Sequence, residues 1–203
     1  NKDINSQVIK YFRSLKGRNI EGITNLTPSY NKLIISFDLN KINFKGIKKL
    51  IENENMNEID ENFVKKIEIP ICCEDTFALD IKRLESKLSL KKEKIYESFF
   101  EKEYFCYMTG FIAGMPFLGD LEKNLRLNRL DTPRVKVPKG SVGLTEQFAN
   151  IYTYESPGGW NIIGNTPLKI FDSSKEKNPN LINPGDTVKF KKISLEEYGN
   201  FNE

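Results

Sequence analysis

The chain has 203 residues, a length that suits one large domain or two small ones, each able to bury its own core. Its 31 lysine and arginine residues nearly balance 28 aspartate and glutamate residues, so the net charge of +3 gives no basic face and nucleic acid is not an expected partner. Histidine is absent, which excludes the usual general base at neutral pH and most zinc sites, and no metal site is predicted.

The first half of the chain alternates helix and strand signals. With Ser6 as a candidate N-cap, apolar residues at helical spacing predict a first helix that ends at Gly17. The other predicted helices are FKGIKKLIENE (44–54) and FALDIKRLESKL (77–88), and the predicted strands are KLIISFD (32–38) and VKKIEIPI (64–71). This alternation is typical of a small α+β layer domain.

The character of the chain changes after residue 88. Ser89 is a candidate N-cap for one more short helix, LKKEKIYESFF (90–100). From residue 103 onward, short apolar runs are separated by clusters of Gly, Pro, Asn and Asp, which indicates a β-barrel or sandwich without a helix longer than three turns between residues 135 and 195. We therefore predict the α+β class, with an N-terminal α+β domain over residues 1–88 and a β-barrel domain over residues 89–203.

The cysteines and the distribution of apolar residues indicate the cellular compartment of the protein. Cys72, Cys73 and Cys106 are odd in number and form no C-x-x-C pair, so we expect reduced, mostly buried thiols. No stretch approaches the roughly 20 apolar residues of a membrane span, and the start, NKDINSQVIKYF, lacks the apolar run of a secretory signal. We expect a cytoplasmic protein without a membrane partner. Residue 1 is not Met, so the numbering is compatible with a start inside a longer chain.

The stretch YESPGGWNIIGNTPLKIF (154–171) is heavily punctuated by proline and glycine and contains the single tryptophan. Its composition supports two interpretations. In one, residues 157–159 form a hairpin turn and Trp160 is a core anchor. In the other, the turn brings backbone N–H groups close to a ligand, with Glu155 and Ser156 at its mouth. A partly desolvated Glu155 carboxylate would then act as an acid, a base or a hydrogen-bond acceptor.

A second glycine-punctuated run, GFIAGMPFLGD, spans residues 110–120. Its spacing does not form G-x-G-x-x-G and no Walker lysine follows, so the run does not predict a nucleotide loop. An apolar patch around Met115, Phe117 and Phe148 is a candidate docking surface, although aromatic residues at this spacing are more often core.

Four motifs in this order and at this spacing resemble one family. They are GF-x-x-G-x-P-x-L-G, TPR-x-x-VP-x-GSVG, IY-x-x-ESPGGW-x-x-IG-x-TPL-x-x-FD and PGD-x-V-x-F-x-x-I. The chain resembles the allophanate hydrolase subunit 1 family, also called the KipI or PxpB family, whose members are similar to the B subunit of bacterial ATP-dependent 5-oxoprolinase. The likeness covers nearly the whole chain, and ESPGGW followed by IG-x-TPL is its most specific combination.

The resemblance implies a fold, a reaction and partners. The fold is a small N-terminal α+β domain of the ferredoxin-like kind, followed by a cyclophilin-like β-barrel. The reaction opens the lactam of 5-oxoproline to glutamate, with ATP acting as a cofactor through the assembled complex. The implied partner is an allophanate hydrolase subunit 2 or PxpC-type subunit. A PxpA-type subunit is an optional further partner. Because this sequence has no phosphate loop, we expect the chain to be inactive alone.

The resemblance implies that the ESPGGW loop belongs to the functional rim of the barrel, and it directs the choice of site residues. An energy-coupled amide hydrolysis needs an activated carbonyl, a positioned water and a site for the developing oxyanion. Our candidates are Glu155 as acid or base, Arg134 as an anion contact, and the backbone of Gly158 and Gly159 as donors. The candidate substrate- or partner-binding residues are Ser156, Pro157, Gly158, Gly159, Trp160, Met115, Pro116 and Phe117.

The sequence departs from the family pattern at a position that usually holds histidine, which falls on Phe99. Two alternative functions therefore stay open. Some relatives inhibit a sporulation histidine kinase by docking a barrel surface on it, a role that the patch at Met115, Phe117 and Phe148 would suit. The other alternative is a component of urea carboxylase or of the allophanate pathway, which requires a biotin-linked partner.

Overall fold

A computed structural model describes residues 2–53 and 64–201 of the chain. The chain divides into two compact units, Asn1–Val64 and Lys65–Glu203. Over the described ranges, no helix is both long and apolar enough to cross a membrane.

The first unit contains two helices and a two-stranded antiparallel sheet in its described part. Its elements are α1 (Lys2–Gly17), β1 (Ile23–Ser29), β2 (Lys32–Phe37) and α2 (Phe44–Glu52). Tyr30, in the tight turn between the strands, has a left-handed backbone with φ 49°. Helix α1 begins a turn before the candidate cap Ser6, and the side-chain amide of the buried Asn5 donates to the Tyr30 carbonyl. Strand β1 has no counterpart in the sequence predictions.

The second unit is built around a closed barrel of seven strands, in the order β10-β3-β11-β4-β5-β8-β7. Strands β6 and β9 form a separate two-stranded sheet. The α+β class and the barrel are thereby confirmed, and residues 135–194 contain no α-helix. The elements are β3 (Lys66–Cys72), α3 (Ile81–Leu88), α4 (Lys92–Glu101), β4 (Glu103–Thr109), β5 (Pro116–Gly119), a 3₁₀ turn (Lys123–Leu125), β6 (Arg134–Val137), β7 (Ser141–Thr145), β8 (Phe148–Ile151), β9 (Ser156–Gly158), β10 (Asn161–Asn165), β11 (Thr187–Ile193) and α5 (Leu195–Asn200).

The barrel joins its first strand in the sequence to its last. Strand β3 pairs in parallel with β11, from Lys66 opposite Thr187 to Cys72 opposite Ile193, whereas its other neighbour, β10, pairs with it only at Cys72. Pro70, which has no N–H to donate, is tolerated in a strand with so little pairing on one side. Because β3 and α3 belong to the barrel unit, the structure divides the chain after residue 64 and not after residue 88 as predicted.

Helices α3 and α4 pack onto the barrel core, where strand and helix side chains form one buried cluster. Phe99 of α4 is fully buried and stacks on Phe190, with ring centroids 4.9 Å apart. Its ring also lies 5.2 Å from that of Tyr104, whose hydroxyl donates to the Phe99 carbonyl. Phe99, where the resemblance implies a histidine, is therefore an apolar core residue.

Ser89 ends one helix instead of beginning the next. It is the C-cap of α3 in a left-handed conformation, with φ 53° and ψ 38°, and the N-cap of α4 is Lys91. The backbone N–H of Lys92, in the first turn of α4, donates to the Glu85 carboxylate at 2.8 Å. A side chain from the preceding helix thus replaces the capping hydroxyl that the sequence suggested.

All three cysteines are free and buried, as predicted. Burial raises the pKa of the Cys73 thiol to about 12, and burial also raises the pKa of Cys106. Both thiols therefore stay protonated and unreactive in the folded chain at neutral pH.

We expect the free energy of unfolding to fall as the pH rises above about 9. The Cys73 pKa is raised from 9.0 to about 12, so within this window the unfolded chain releases a proton that the folded chain keeps. The group's contribution is fully present below pH 9 and is lost at a rate of about 1.4 kcal/mol per pH unit above it. Urea unfolding at about pH 8, 9.5 and 11 measures the slope. Cys73→Ala should make the slope shallower, and an unchanged slope would contradict the assignment.

Candidate functional site

An apolar pocket of about 430 Å³ opens at one edge of the second unit, and we call it the rim pocket. Three stretches of chain meet there: the loop before β5 with β5 itself, the segment before β6, and the region from the end of β8 to the start of β10. The lining residues are Phe111, Met115, Phe117, Arg129, Pro133, Tyr152, Pro157, Gly158, Gly159 and Trp160. Apolar walls with a few polar groups are typical of small-molecule sites.

Aromatic rings form one wall of the rim pocket. The half-buried Trp160 meets Phe117 edge to face, with ring centroids 5.6 Å apart and an interplanar angle of 77°. Phe117 in turn meets Phe148 at 6.1 Å. Trp160 therefore lines the pocket and also packs, partly buried, against a core cluster that includes Met115 and Tyr152. Met115, beneath this wall, is 1% exposed, so Met115, Phe117 and Phe148 do not form an exposed patch.

The loop of residues 110–115 forms the outer lip of the pocket. Its ends are joined by a hydrogen bond from the Gly110 N–H to the Met115 carbonyl at 3.0 Å. The Thr153 hydroxyl donates to the Ala113 carbonyl at 2.7 Å. Phe111 has φ 70° and is 76% exposed, although bulky side chains rarely adopt this left-handed backbone. The loop thus holds an aromatic ring in solvent at the mouth of an aromatic pocket.

Residues 156–158 are extended, so the predicted turn at residues 157–159 is wrong. They form β9, in which Gly158 lies opposite Arg134 of β6. A Cβ on Gly158 would overlap the hydroxyl of Tyr152 and lie 2.7 Å from its Cζ atom. A Cβ on Gly159 would meet only ordinary contacts of 3.5 Å or more, and its φ is not left-handed. Gly158 is therefore the glycine that the structure requires.

Arg129 provides the cation of the rim pocket, and sequence reasoning missed it. The residues on both sides of it are held in place: the Asn128 carbonyl accepts from the Asn161 amide at 3.1 Å, and the Leu130 N–H donates to the Gly159 carbonyl at 2.6 Å. Arg129 itself is exposed and makes no ion pair with any residue that the structure describes. Its place shortly before the TPR motif is the one sequence signal that could have drawn attention to it.

Arg134, the predicted anion contact, already has an anion within the chain. Its Nη2 atom lies 2.6 Å from Oδ1 of Asp80, whose side chain is only 5% exposed. The other oxygen of Asp80 accepts from the Ile162 N–H at 2.7 Å. Arg134 does not line the rim pocket, and its interaction joins β6 to the start of α3.

Glu155, the predicted acid or base, is in an exposed ion pair outside the pocket. Its Oε1 atom lies 2.9 Å from the Lys136 ammonium, and this hydrogen bond raises the pKa of Lys136. The structure brings six of the predicted residues together around one cavity: Met115, Phe117, Pro157, Gly158, Gly159 and Trp160. Glu155, Arg134, Ser156 and the buried Pro116 do not line it.

The titratable side chains of the pocket favour binding over proton transfer. Burial raises the pKa of Tyr152, while the Asn150 side chain and the Trp160 main chain oppose this rise. Tyr152 is therefore a neutral phenol at physiological pH, and Arg129 is the other ionisable side chain among the described lining residues. The rim pocket can hold and orient a ligand, but the described residues that line it offer no carboxylate or imidazole as a general base.

The barrel and its rim pocket define the class of protein. The model of the family described as "carboxyltransferase domain, subdomain C and D" matches residues 1–182. The chain is 30% identical over 216 residues to the 5-oxoprolinase B subunit of Bacillus subtilis, covering 100% of this chain and 89% of that protein. The chain therefore belongs to the carboxyltransferase subdomain C and D family, and the resemblance to the B subunit of 5-oxoprolinase is confirmed.

Solved structures agree with this assignment. The crystal structure of TTHA0988 superposes with a TM-score of 0.87 at 27% identity, covering 96% of this chain and 38% of that one. The Kluyveromyces lactis urea carboxylase superposes with a TM-score of 0.72 at 20% identity, covering 98% of this chain and 20% of that one, which shows a shared fold. The chain thus spans about two fifths and one fifth of the lengths of these two proteins.

The contrast between Gly158 and Gly159 gives a matched test of the pocket wall. Gly158→Ala should lower the free energy of unfolding by about 1–3 kcal/mol, because the added methyl forces the buried Tyr152 ring to move. Gly159→Ala should change it by about 0.5 kcal/mol or less, because its neighbours are at ordinary contact distance. Urea unfolding midpoints measure both changes. Equal destabilisation by the two variants would contradict this description of β9.

The buried carboxylate of Asp80 should matter far more to stability than the exposed carboxylate of Glu155. Asp80→Ala leaves Arg134 and the Ile162 N–H without their acceptor, and we expect a loss of about 3 kcal/mol. Glu155→Gln breaks only an exposed ion pair and should leave the unfolding midpoint unchanged. Thermal and urea unfolding of the two variants give the comparison. A stable Asp80→Ala protein would show that β6 and α3 are held together by other contacts.

Proposed function

We propose that the chain acts as the B subunit of an ATP-dependent 5-oxoprolinase, which opens the lactam of 5-oxoproline to glutamate. The observation that carries the proposal is the likeness, along the whole chain, to the Bacillus subtilis protein of that name. The rim pocket suits a small substrate with a ring and a charged group, because aromatic walls surround it and Arg129 lies in its lining.

The proposal requires a second subunit, because no general base lines the rim pocket in the part of the chain that the structure describes. Hydrolysis of a lactam needs a base for the attacking water and donors for the developing oxyanion. We assign these groups to a partner of the allophanate hydrolase subunit 2 or PxpC type, with a PxpA-type subunit as a further component. We place the complex in the cytoplasm, where buried thiols such as those of this chain stay reduced.

The glycine-punctuated run of residues 110–120 does not fit ATP. A Cβ on Gly114 would lie 2.6 Å from Cβ of Phe171, and one on Gly119 would lie 2.7 Å from the Tyr107 ring. These glycines admit neighbouring aromatic side chains, whereas a phosphate loop leaves its backbone N–H groups open to the ligand. We therefore propose that ATP binds to another subunit, and no step of the reaction is assigned to ATP on this chain.

The kinase-inhibitor alternative depended on an exposed patch at Met115, Phe117 and Phe148, and the structure does not contain this patch. Met115 is buried, and the two phenylalanine rings pack edge to face with each other. The urea carboxylase alternative rests on a fold shared at 20% identity, which does not specify a substrate. Neither alternative is supported by a feature of the rim pocket.

Reconstitution tests the proposed function. The chain should be purified alone and together with its PxpC-type and PxpA-type subunits, and each sample supplied with 5-oxoproline and ATP. We expect glutamate and ADP to form only in the complete mixture. Turnover by the chain alone, or a complete mixture that hydrolyses neither compound, would contradict the proposal. Omission of ATP from the complete mixture is the matched control.

A further inference from the structure

We infer that Arg129 is the carboxylate anchor of the rim pocket, and that the pocket on this chain alone binds small carboxylic acids with a compact ring. The choice of a five-membered ring rests on the proposed function, whereas the requirement for a carboxylate rests on the residues around Arg129. An arginine guanidinium presents paired N–H donors that match the two oxygens of a carboxylate.

The position of Arg129 is fixed although its charge is not used within the described chain. Backbone hydrogen bonds hold Asn128 and Leu130, so the Cα atom between them is restrained at the pocket wall. Asn161, which holds Asn128, is itself fully buried and accepts from Arg83 at 2.6 Å. By contrast Arg134, on the neighbouring strand, is already paired with Asp80. Of these two arginines, Arg129 is therefore the one whose charge has no carboxylate partner among the described residues.

The rest of the lining selects for an apolar ring beside the charge. Trp160 and Phe117 present aromatic surface, Pro133 and Pro157 present aliphatic rings, and the bare backbone of Gly158 and Gly159 leaves room between them. The described residues of the lining include no carboxylate, so an incoming anion meets no like charge from them. A volume of about 430 Å³ lies near the lower end of the range for ligand pockets and has room for a small ring that carries a carboxylate.

Trp160 provides a built-in reporter for this binding. It is the single tryptophan of the chain and it lines the pocket, so its fluorescence reports on this site alone. The full chain should be titrated with cyclopentanecarboxylate, with 5-oxoproline and with 2-pyrrolidinone, a neutral lactam. We expect both carboxylates to change the Trp160 emission saturably, and 2-pyrrolidinone to bind at least about tenfold more weakly, since it lacks the charge-assisted hydrogen bonds.

Charge variants identify the anchor. Arg129→Gln should raise the Kd for cyclopentanecarboxylate at least about tenfold, and Arg129→Lys should restore part of the affinity. Arg126→Gln is the matched control, because Arg126 carries the same charge three residues earlier but lines a different cleft, and its Kd should match that of the parent. Since Arg129 is exposed, melting curves of its two variants should coincide with that of the parent.

The outcomes separate this inference from the proposed function. The inference is overturned if the carboxylates give no saturable signal, if 2-pyrrolidinone binds as tightly as they do, or if Arg129→Gln binds like the parent chain. Carboxylate binding with no turnover by the complete complex would overturn the proposed function and leave the anchor standing. Turnover by the complex with an unchanged KM for 5-oxoproline in Arg129→Gln would overturn the anchor and leave the proposed function standing.

Discussion

The interaction on which the second unit depends is that of the Asp80 carboxylate. One of its oxygens binds Arg134 and the other accepts from the Ile162 N–H, while its own N–H donates to the Ile162 carbonyl at 2.9 Å. A buried carboxylate is tolerated only where such donors surround it. Asp80 is the N-cap position of α3, yet its side chain makes no capping bond because it is engaged by β6 and β10. One charge thus fixes the place of a helix and two strands.

The geometry of the rim pocket depends on these contacts between α3, β6 and β10. Helix α3, which begins beside Asp80, carries Arg83, whose guanidinium donates to Asn161 at the start of β10. The amide of Asn161 then donates to the carbonyls of Asn128 and Leu144. Arg129 therefore lies next to a residue held by a continuous set of partly buried polar contacts, and its place beside the aromatic wall depends on side chains that do not line the pocket.

Local patterns predicted the elements better than they predicted the site. The apolar period located four helices and the strands β2 and β3, and the glycine and proline clusters correctly indicated a barrel. Local patterns do not show which distant side chain a residue contacts. The sequence predicts Arg134 as an anion contact, whereas in the structure Asp80, 54 residues earlier in the chain, already binds it. For the same reason the sequence does not predict Arg129 as a pocket residue, because its position depends on the distant Asn161. Composition suggested a turn at residues 157–159, where pairing with β6 imposes an extended backbone.

The parallel pairing of β3 with β11 has a consequence for folding during synthesis of the chain on the ribosome. The backbone N–H of Lys65, next to β3, donates to the buried carboxylate of Asp186, 121 residues later. At a synthesis rate of about 5–20 residues per second, β3 waits roughly 6–24 s for its neighbour to be made. During that interval Ile69 and Ile71, which have no exposure in the finished barrel, lack their final partners. Closure of the barrel is thus a late, non-local event of high contact order, and it cannot begin at this seam before β11 has been synthesised.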